Sequence, residues 1–441
     1  MRVLLVSANR ERQPSPVVPL GLLWVAATAR QEHDVRLVDL CFADEPLAAL
    51  EAAIDDFQPE VVGLGLRNLH GNAYDGSEPL LAWYETLAAT IRGRTTAPLV
   101  LGGAGFSLQP RRIVERLGAD HGIIGEGERL FVELLGRLQR GERPPRLLTA
   151  AALDCPSDGD GALDGLPAPA RELADPAYFT DGQGDGTVNL QSKRGCSFGC
   201  SYCDYPDLEG RLIRLRDPEQ VADEALACAR PPGGRPPPRH LFFVDSVFNN
   251  PRGHALAISR ALARRGAALP WLCYATPAAL DEELCAAMAA ARCVGVEVGT
   301  DTGTDETLRR LNKPFRRADV LAAHRHLAAA GIRDCHTFVV GAGDETIEEA
   351  RATLAFVDEL DPDVAVFIVF WEDRESRGPG AAHRRQALLD LLAEEAPKRP
   401  GWVVPELQLR FGPRLDRLLA QRQVRGPSWL HLARLRRRLA A

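Results

Sequence analysis

Apolar residues along the first third of the chain come in short blocks separated by longer periodic stretches. "RVLLVSA", "DVRLVDL", "VVGLGLR", "PLVLGG" and "HGIIG" are continuous runs of strand length. Between them, "PLGLLWVAATAR", "PLAALEAAIDDF", "EPLLAWYETLAATIR", "QPRRIVERLG" and "ERLFVELLGRLQR" repeat apolar positions three and four apart, the spacing of a helix face. A strand apolar on both faces needs cover on both, and helical connections provide it. The pattern therefore predicts a five-stranded, doubly wound parallel domain over residues 1–143. Ligands of such a sheet bind outside the carboxyl ends of its strands.

Residues 144–186 turn rich in Pro, Gly and Asp ("CPSDGDGALDGLPAPARELADP") and read as a linker. The alternation then resumes with six strand candidates: "TVNLQSK", "HLFFVDS", "WLCYAT", "VGVEVGT", "CHTFVVG" and "VAVFIVF". Helical patterns such as "DPEQVADEALACAR" and "RADVLAAHRHLAAAG" lie between them. Six β/α units over residues 187–372 predict a partial (β/α)6, TIM-like barrel with functional groups at its C-terminal strand ends. Residues 373–441 read as a helical, basic C-terminal region ending "RLRRRLAA". The fold class is thus α/β, a Rossmann-like domain followed by a partial barrel.

Charge and composition narrow the partners. With 53 Lys and Arg against 60 Asp and Glu, a broad nucleic-acid footprint is not expected. No apolar run approaches the ~18 residues of a membrane span, and the N-terminus lacks the pattern of a signal peptide, so a cytoplasmic location is expected. Ten cysteines in that setting read as thiols or metal ligands. Seven of them (Cys41, Cys155, Cys228, Cys273, Cys285, Cys293, Cys335) sit among apolar neighbours and read as small buried hydrophobes.

The other three are set apart. "KRGCSFGCSYCDYP" crowds Cys196, Cys200 and Cys203 into a glycine-containing loop after the first barrel strand. A structural zinc site wants four N/S ligands, and the nearest histidine is His240. Iron–sulfur clusters are held by thiolates, normally four. Three on a four-iron cluster would leave one iron open to a substrate or cofactor. Gly195, Ser197, Gly199 and Asp204 mark an exposed loop and argue against plain core cysteines.

The CxxxCxxC spacing, with Tyr202 before the last cysteine, resembles the signature of radical S-adenosylmethionine enzymes. "QSKRGCSFGCSYCDYP" is similar to the branch carrying an N-terminal cobalamin-binding domain. "FFVDSVFNN", "VGVEVGTDTGTDETLRRLNKPF" and "FVVGAGDET" resemble that family's second-, fourth- and fifth-strand blocks in order, so the likeness covers roughly residues 1–370. It implies a [4Fe-4S] cluster on Cys196, Cys200 and Cys203, S-adenosylmethionine on the open iron, and one-electron cleavage to a 5′-deoxyadenosyl radical. It also implies that Tyr202, Asp245, Ser246, Glu297, Gly299 and Gly341 contact S-adenosylmethionine. The residues themselves leave other readings open. A carboxylate on an apolar strand such as Glu297 needs a partner, and Lys313 or an arginine would serve. Asp245 and Ser246 suit a helix cap, Gly299 and Gly341 suit close backbone approach, and Tyr202 suits packing.

In the first domain, "PLVLGGAGF" puts Gly102 and Gly103 at the fourth strand's end, where the family's backbone approaches cobalamin. The stretch "SANRERQPSPVVPLG" has no histidine where cobalamin-dependent mutases carry D-x-H-x-x-G. The resemblance therefore implies cobalamin without a histidine ligand, with Arg67 beneath the cobalt and His70 as the rival. The activity implied is methylation of an unactivated carbon in a natural-product type, small-molecule or peptide substrate, with an electron donor such as flavodoxin or ferredoxin. A radical cyclase, rearrangement or oxidative enzyme of the same branch is the alternative, and a non-catalytic iron–sulfur scaffold or redox sensor a third. "FWEDRESRGPG" departs from the arginine–proline–glycine block of many relatives, and substrate contacts are expected there and at the strand ends. The basic C-terminal end reads as a solvated helix face or a contact for an anionic surface.

Overall fold

The blocks fold as two units in a computed structural model describing residues 1–12, 15–69, 78–150, 163–180, 185–231, 233–370, 379–410, 415, 418 and 426–440. The first unit comprises Met1–Arg12, Pro16–Tyr178 and Asp207–Gly210; the second comprises Gln13–Ser15, Phe179–Pro206 and Arg211–Ala441. Among the described residues no helix is long and apolar enough to cross a membrane.

The first unit runs β1 (Arg2–Ser7), α1 (Leu20–Ala29), β2 (Asp34–Asp39), α2 (Pro46–Phe57), β3 (Val61–Gly65), α3 (Glu78–Arg94), β4 (Leu99–Gly102), α4 (Ala104–Leu108), α5 (Pro110–Arg116), β5 (His121–Ile123), α6 (Glu128–Gln139) and β6 (Leu147–Leu148). The strands lie in the order β2-β1-β3-β4-β5-β6, all parallel. The five expected strands are present, and the two-residue β6 adds an edge. Leu4, Val6, Leu64 and Leu101 enter the core on one face, and Val3, Leu5, Val61 and Val100 the core on the other. That is why these strands read as unbroken apolar runs. Past β6, Tyr178 packs in and donates its hydroxyl to Asp39 Oδ2 at 2.8 Å.

The second unit runs β7 (Thr187–Leu190), β8 (Lys193–Arg194), α7 (Tyr205–Glu209), β9 (Arg214–Leu215), α8 (Pro218–Cys228), β10 (His240–Phe243), α9 (Arg252–Arg264), β11 (Trp271–Ala275), α10 (Glu282–Ala290), β12 (Cys293–Asp301), α11 (Asp305–Arg310), α12 (Arg317–Ala329), β13 (Arg333–Val340), α13 (Ile347–Leu360), β14 (Val364–Val369), α14 (Pro379–Glu395), β15 (Trp402–Val403) and a last helix, Ser428–Ala440. One parallel sheet takes the order β7-β10-β11-β12-β13-β14-β15, while β8 and β9 pair antiparallel. All six strand candidates are found, and β15 extends the sheet by one.

Side chains alternate across this sheet. Leu190, Phe243, Cys273, Val296 and Val298 pack outward among residues of α8, α9, α10 and α12. Phe242, Leu272, Cys335 and Val364 point inward and pack on Trp429, Leu430 and Ala433 of the last helix. Gly295 makes room for that helix, since a Cβ there would lie 2.6 Å from the Trp429 ring. Gly426 N–H donates to the Asp185 carbonyl just before β7 (2.8 Å), and Arg436 bonds the Pro362 carbonyl just before β14. The last helix therefore floors the inner face at the N-terminal ends of the strands. Six of the seven scattered cysteines are buried as expected, and Cys155 lies outside the described residues.

A charged network ties the outer face together. His324 Nδ1 and His336 Nε2 both reach Asp334 Oδ2 (2.5 and 3.2 Å), and Thr300 Oγ1 lies 2.7 Å from His336 Nδ1. The Asp363 N–H donates to Asp334 Oδ1 at 2.9 Å, and Arg333 pairs with Asp363 at 3.1 Å. These three metal-ligand types are mutually satisfied by hydrogen bonds. Burial works against the Asp334 charge, but the two histidines outweigh it and hold the carboxyl far below its usual range. The same bond raises His324.

Asp334→Asn should therefore destabilise the protein by about 3–5 kcal/mol, the cost of stranding one partner of a buried pair. The His324 share is complete below pH 6.5 and fades as pH rises through its raised value; the Asp334 share is complete above pH 3.8 and fades in stronger acid. Urea unfolding should show a larger difference from wild type at pH 5.5 than at pH 8.5.

Candidate functional site

The cysteine loop hangs from a buried carboxylate. Ser192 and Lys193 N–H groups donate to Asp245 Oδ1 at 2.7 and 3.2 Å, and the Ser192 hydroxyl donates to Oδ2. Lys193, itself buried, reaches the Gly195 carbonyl at 3.3 Å and Ser246 Oγ at 3.4 Å. Burial pushes the Asp245 carboxyl up, against the pull of Lys193 and Ser192. Asp245 and Ser246 thus both grip the root of the loop. Gly195 follows with φ +90°, and a Cβ there would stand 2.1 Å from the Leu212 carbonyl oxygen, so no other residue fits.

Three consecutive residues after α11 hold the loop's far side. Ser201 N–H donates to the Leu311 carbonyl (3.1 Å), and Asn312 Nδ2 donates to the Gly199 carbonyl (2.8 Å). Lys313 Nζ donates to the Tyr202 hydroxyl at 2.9 Å, which in turn donates to Asp301 Oδ1 at 2.7 Å. Lys313 also ion-pairs with Asp301, and its ammonium lies 4.9 Å from the centre of the Tyr202 ring. Asp301 is aimed there by an irregularity between Gly299 and Asp301 in the β12–β13 register, and it holds φ +66°, an uncommon value for a residue with a side chain. Burial and then the Asp301 charge push the Tyr202 hydroxyl well above the phenol range.

Cys196 is buried, and Cys200 and Cys203 are partly so. Burial raises the Cys200 and Cys203 thiols, Cys203 also feels the Cys200 and Cys196 sulfurs and Cys200 that of Cys196 as nearby charges, and Lys313 lowers both. Three thiols on one short loop, with a cation bearing on two of them, is the donor chemistry an iron–sulfur cluster with three protein ligands requires.

Further along the inner face, Glu297 pairs in register with Tyr274 on β11 and Cys335 on β13. Its partner is neither Lys313 nor an arginine: Trp429 Nε1 donates to Glu297 Oε1 at 2.8 Å. Burial pushes this carboxyl up to about 7, and the tryptophan bond pulls only partly against it. Nothing in the sequence near Glu297 announced a tryptophan 132 positions away. Tyr274, on the same face, keeps 41% of its surface exposed, so the barrel interior is open above this floor. Gly299 faces free space, with nothing within 4 Å of a Cβ placed there. Gly341 sits at φ +87°, its N–H donating to Glu345 Oε2 at 2.8 Å.

In the first unit, the ends of β3 and β4 meet. Gly105 N–H lies 3.0 Å from both the Leu66 and Arg67 carbonyls. Gly103 takes φ +98°, and a Cβ there would stand 2.6 Å from the Leu66 carbonyl oxygen; Gly102 faces open space. Arg67 is exposed at the end of β3. A bare backbone surface beside an exposed cation suits a large flat cofactor. His70 lies outside the described residues.

Two domain families match the chain: the B12 binding domain over residues 8–135 and the Radical SAM superfamily over residues 190–357. An uncharacterized methyltransferase of Pyrococcus horikoshii is 25% identical, over 84% of this chain and 80% of its own length. A tryptophan 2-C-methyltransferase of Streptomyces laurentii is 25% identical, over 83% and 71%. Among solved structures, the radical S-adenosylmethionine methyltransferase TsrM of Kitasatospora setae, with cobalamin and a [4Fe-4S] cluster bound, superposes with a TM-score of 0.70 at 25% identity, covering 83% of this chain and 72% of that one.

Two outcomes test this geometry. Because the Glu297 carboxyl is raised in the folded chain, stability should fall as pH rises from about 4.5 to 7. Glu297→Gln should erase that fall, and Trp429→Phe should extend it to higher pH, both read by urea unfolding. Gly103→Ala forces about 1–3 kcal/mol of strain into the β3–β4 junction. Cobalamin retention, followed by absorbance after gel filtration, should weaken about tenfold or more.

Proposed function

We propose that this chain, a member of the cobalamin-dependent radical S-adenosylmethionine methyltransferases, methylates a carbon atom that carries no activating group in a small biosynthetic substrate. The observation that supports this best is the pairing, in one chain, of the three-thiol loop with glycine-bare strand ends beside Arg67. When bound, the cluster supplies the electron that cleaves S-adenosylmethionine, and cobalamin carries the methyl group.

The chain's own residues would bind and orient. Cys196, Cys200 and Cys203 hold the cluster, and Asp245 and Ser246 fix the loop that presents them. Gly299 and Gly341 border S-adenosylmethionine, with Tyr202 and Glu297 nearby. Gly102 and Gly103 would let cobalamin approach the backbone, and Arg67 would set a positive charge beside it. Above the Trp429 floor, Val339 and Ile368 share the inner face with Tyr274 and Glu297 and are partly buried. That wall suits an apolar or aromatic body bearing one polar group, in keeping with the tryptophan named for the Streptomyces relative. A flavodoxin- or ferredoxin-like protein would deliver the electron.

Incubation with methyl-deuterated S-adenosylmethionine and candidate aromatic substrates tests the reading. Three deuteriums should enter the product, with S-adenosylhomocysteine and 5′-deoxyadenosine accumulating in about equal amounts. An unlabelled product formed with 5′-deoxyadenosine alone would replace methyl transfer by cyclisation or rearrangement.

A further inference from the structure

The lysine beside the cysteine loop has no part in the scheme above, yet it is enclosed between that loop and the end of β12. An ammonium carries three N–H groups. One faces the Asp301 carboxylate and one the Tyr202 hydroxyl at 2.9 Å, two residues beyond Cys200 and one before Cys203, with the ammonium 4.9 Å from the Tyr202 ring centre. Side-chain exposure is 9% for Lys313 and 4% for Asp301, so water screens neither. With two donors taken and the side chain almost wholly enclosed, Lys313 is built into the wall of the loop, which separates it from a lysine held out to a ligand. Its backbone neighbours Leu311 and Asn312 already hold Ser201 and Gly199, so the loop has anchorage without the charge.

We propose that Lys313 is a positioning residue that tunes the iron–sulfur cluster, its charge against Cys200 making one-electron reduction easier, with Asp301 opposing it. Reduction adds one electron to the cluster from a low-potential donor and breaks no bond. A positive charge close to a ligating sulfur favours the more negative, reduced state. Asp301, the partner that holds Lys313 in place, also holds the Tyr202 hydroxyl at 2.7 Å, and its charge acts on the same sulfur in the opposite sense. The pair therefore fixes the potential by the balance of two charges rather than by one. This rests on the cluster assignment and not on methyl transfer, so failure of the deuterium experiment leaves it standing.

The test is a redox titration of the reconstituted full-length chain with dithionite, read by electron paramagnetic resonance. Lys313→Met should make reduction about tenfold less favourable, a shift of about 59 mV to more negative potential for a one-electron couple. Asp301→Asn should shift it the other way, and Lys313→Arg should stay near wild type. Shifts of the same sign in Lys313→Met and Asp301→Asn, or no shift in Lys313→Met at full iron content, would overturn the proposal, because a loosened loop has no reason to respect charge. Should Lys313→Met fail to take up iron, Asp301→Asn decides alone, and a midpoint at or below wild type rejects it. A wild-type chain that binds no iron would instead refute the cluster assignment.

Discussion

A carboxylate wholly enclosed at the end of a barrel strand can persist only if its oxygens are satisfied, and in this chain the satisfaction shapes the site. Asp245 takes the backbone N–H groups of Ser192 and Lys193 and the Ser192 hydroxyl, and has the Lys193 ammonium close by. Those are the residues where the chain leaves β7 and turns toward Cys196. Without that hold, the turn at Gly195 and the Lys193 bonds to Gly195 and Ser246 would have no fixed origin. The position of three thiols is set three and four residues upstream of the first, by an acid just past the end of the neighbouring strand.

The opposite end of the loop is held by a different economy of contacts. Leu311 contributes a carbonyl, Asn312 an amide and Lys313 a charge, each to a different residue between Gly199 and Tyr202. Asn312 adopts φ +55°, a left-handed conformation that asparagine tolerates better than most residues. That turn lets successive residues face the same loop. Tyr202 is fixed at its hydroxyl by Asp301 and Lys313 and meets Phe370 edge-on at 6.2 Å, so its ring plane is set before any ligand arrives. Orientation by groups that are themselves locked is what a precise site needs.

Most of the architecture was legible because each strand is buried on both faces and each connection is long enough for a helix. The eleven apolar runs from "RVLLVSA" to "VAVFIVF" all became strands. What escaped were elements without a periodic signature: β6, β8, β9 and β15, each of two residues. A two-residue strand has no alternation to detect, and its pairing is decided by the partner. The role of the last helix escaped for a related reason. "WLHLARLRRRL" reads as a basic surface helix, yet Trp429, Leu430 and Ala433 fill the barrel floor. The cysteine loop stood out by its spacing. The partners of Glu297 and Tyr202 were not, because Trp429 and Lys313 are brought to them from 132 and 111 positions away.

The glycines selected from sequence divide on physical grounds that only the packed chain reveals. At Gly103 and Gly341 a side chain would collide with the protein itself, at 2.6 Å from Leu66 and 2.7 Å from Leu388, and both have positive φ. Their small size is explained without any ligand. Gly102 and Gly299 have nothing within 4 Å of a Cβ and no positive φ, so the fold does not demand glycine there. Open space alone means little, since Gly93 on the α3 surface shares it. At the carboxyl end of a parallel strand, however, open space lies where α/β sheets receive their ligands. Gly102 and Gly299 are thus the positions where the absence of a side chain is best accounted for by something the chain binds. Replacing either by alanine should leave stability nearly unchanged, a property that the packed glycines beside them cannot share.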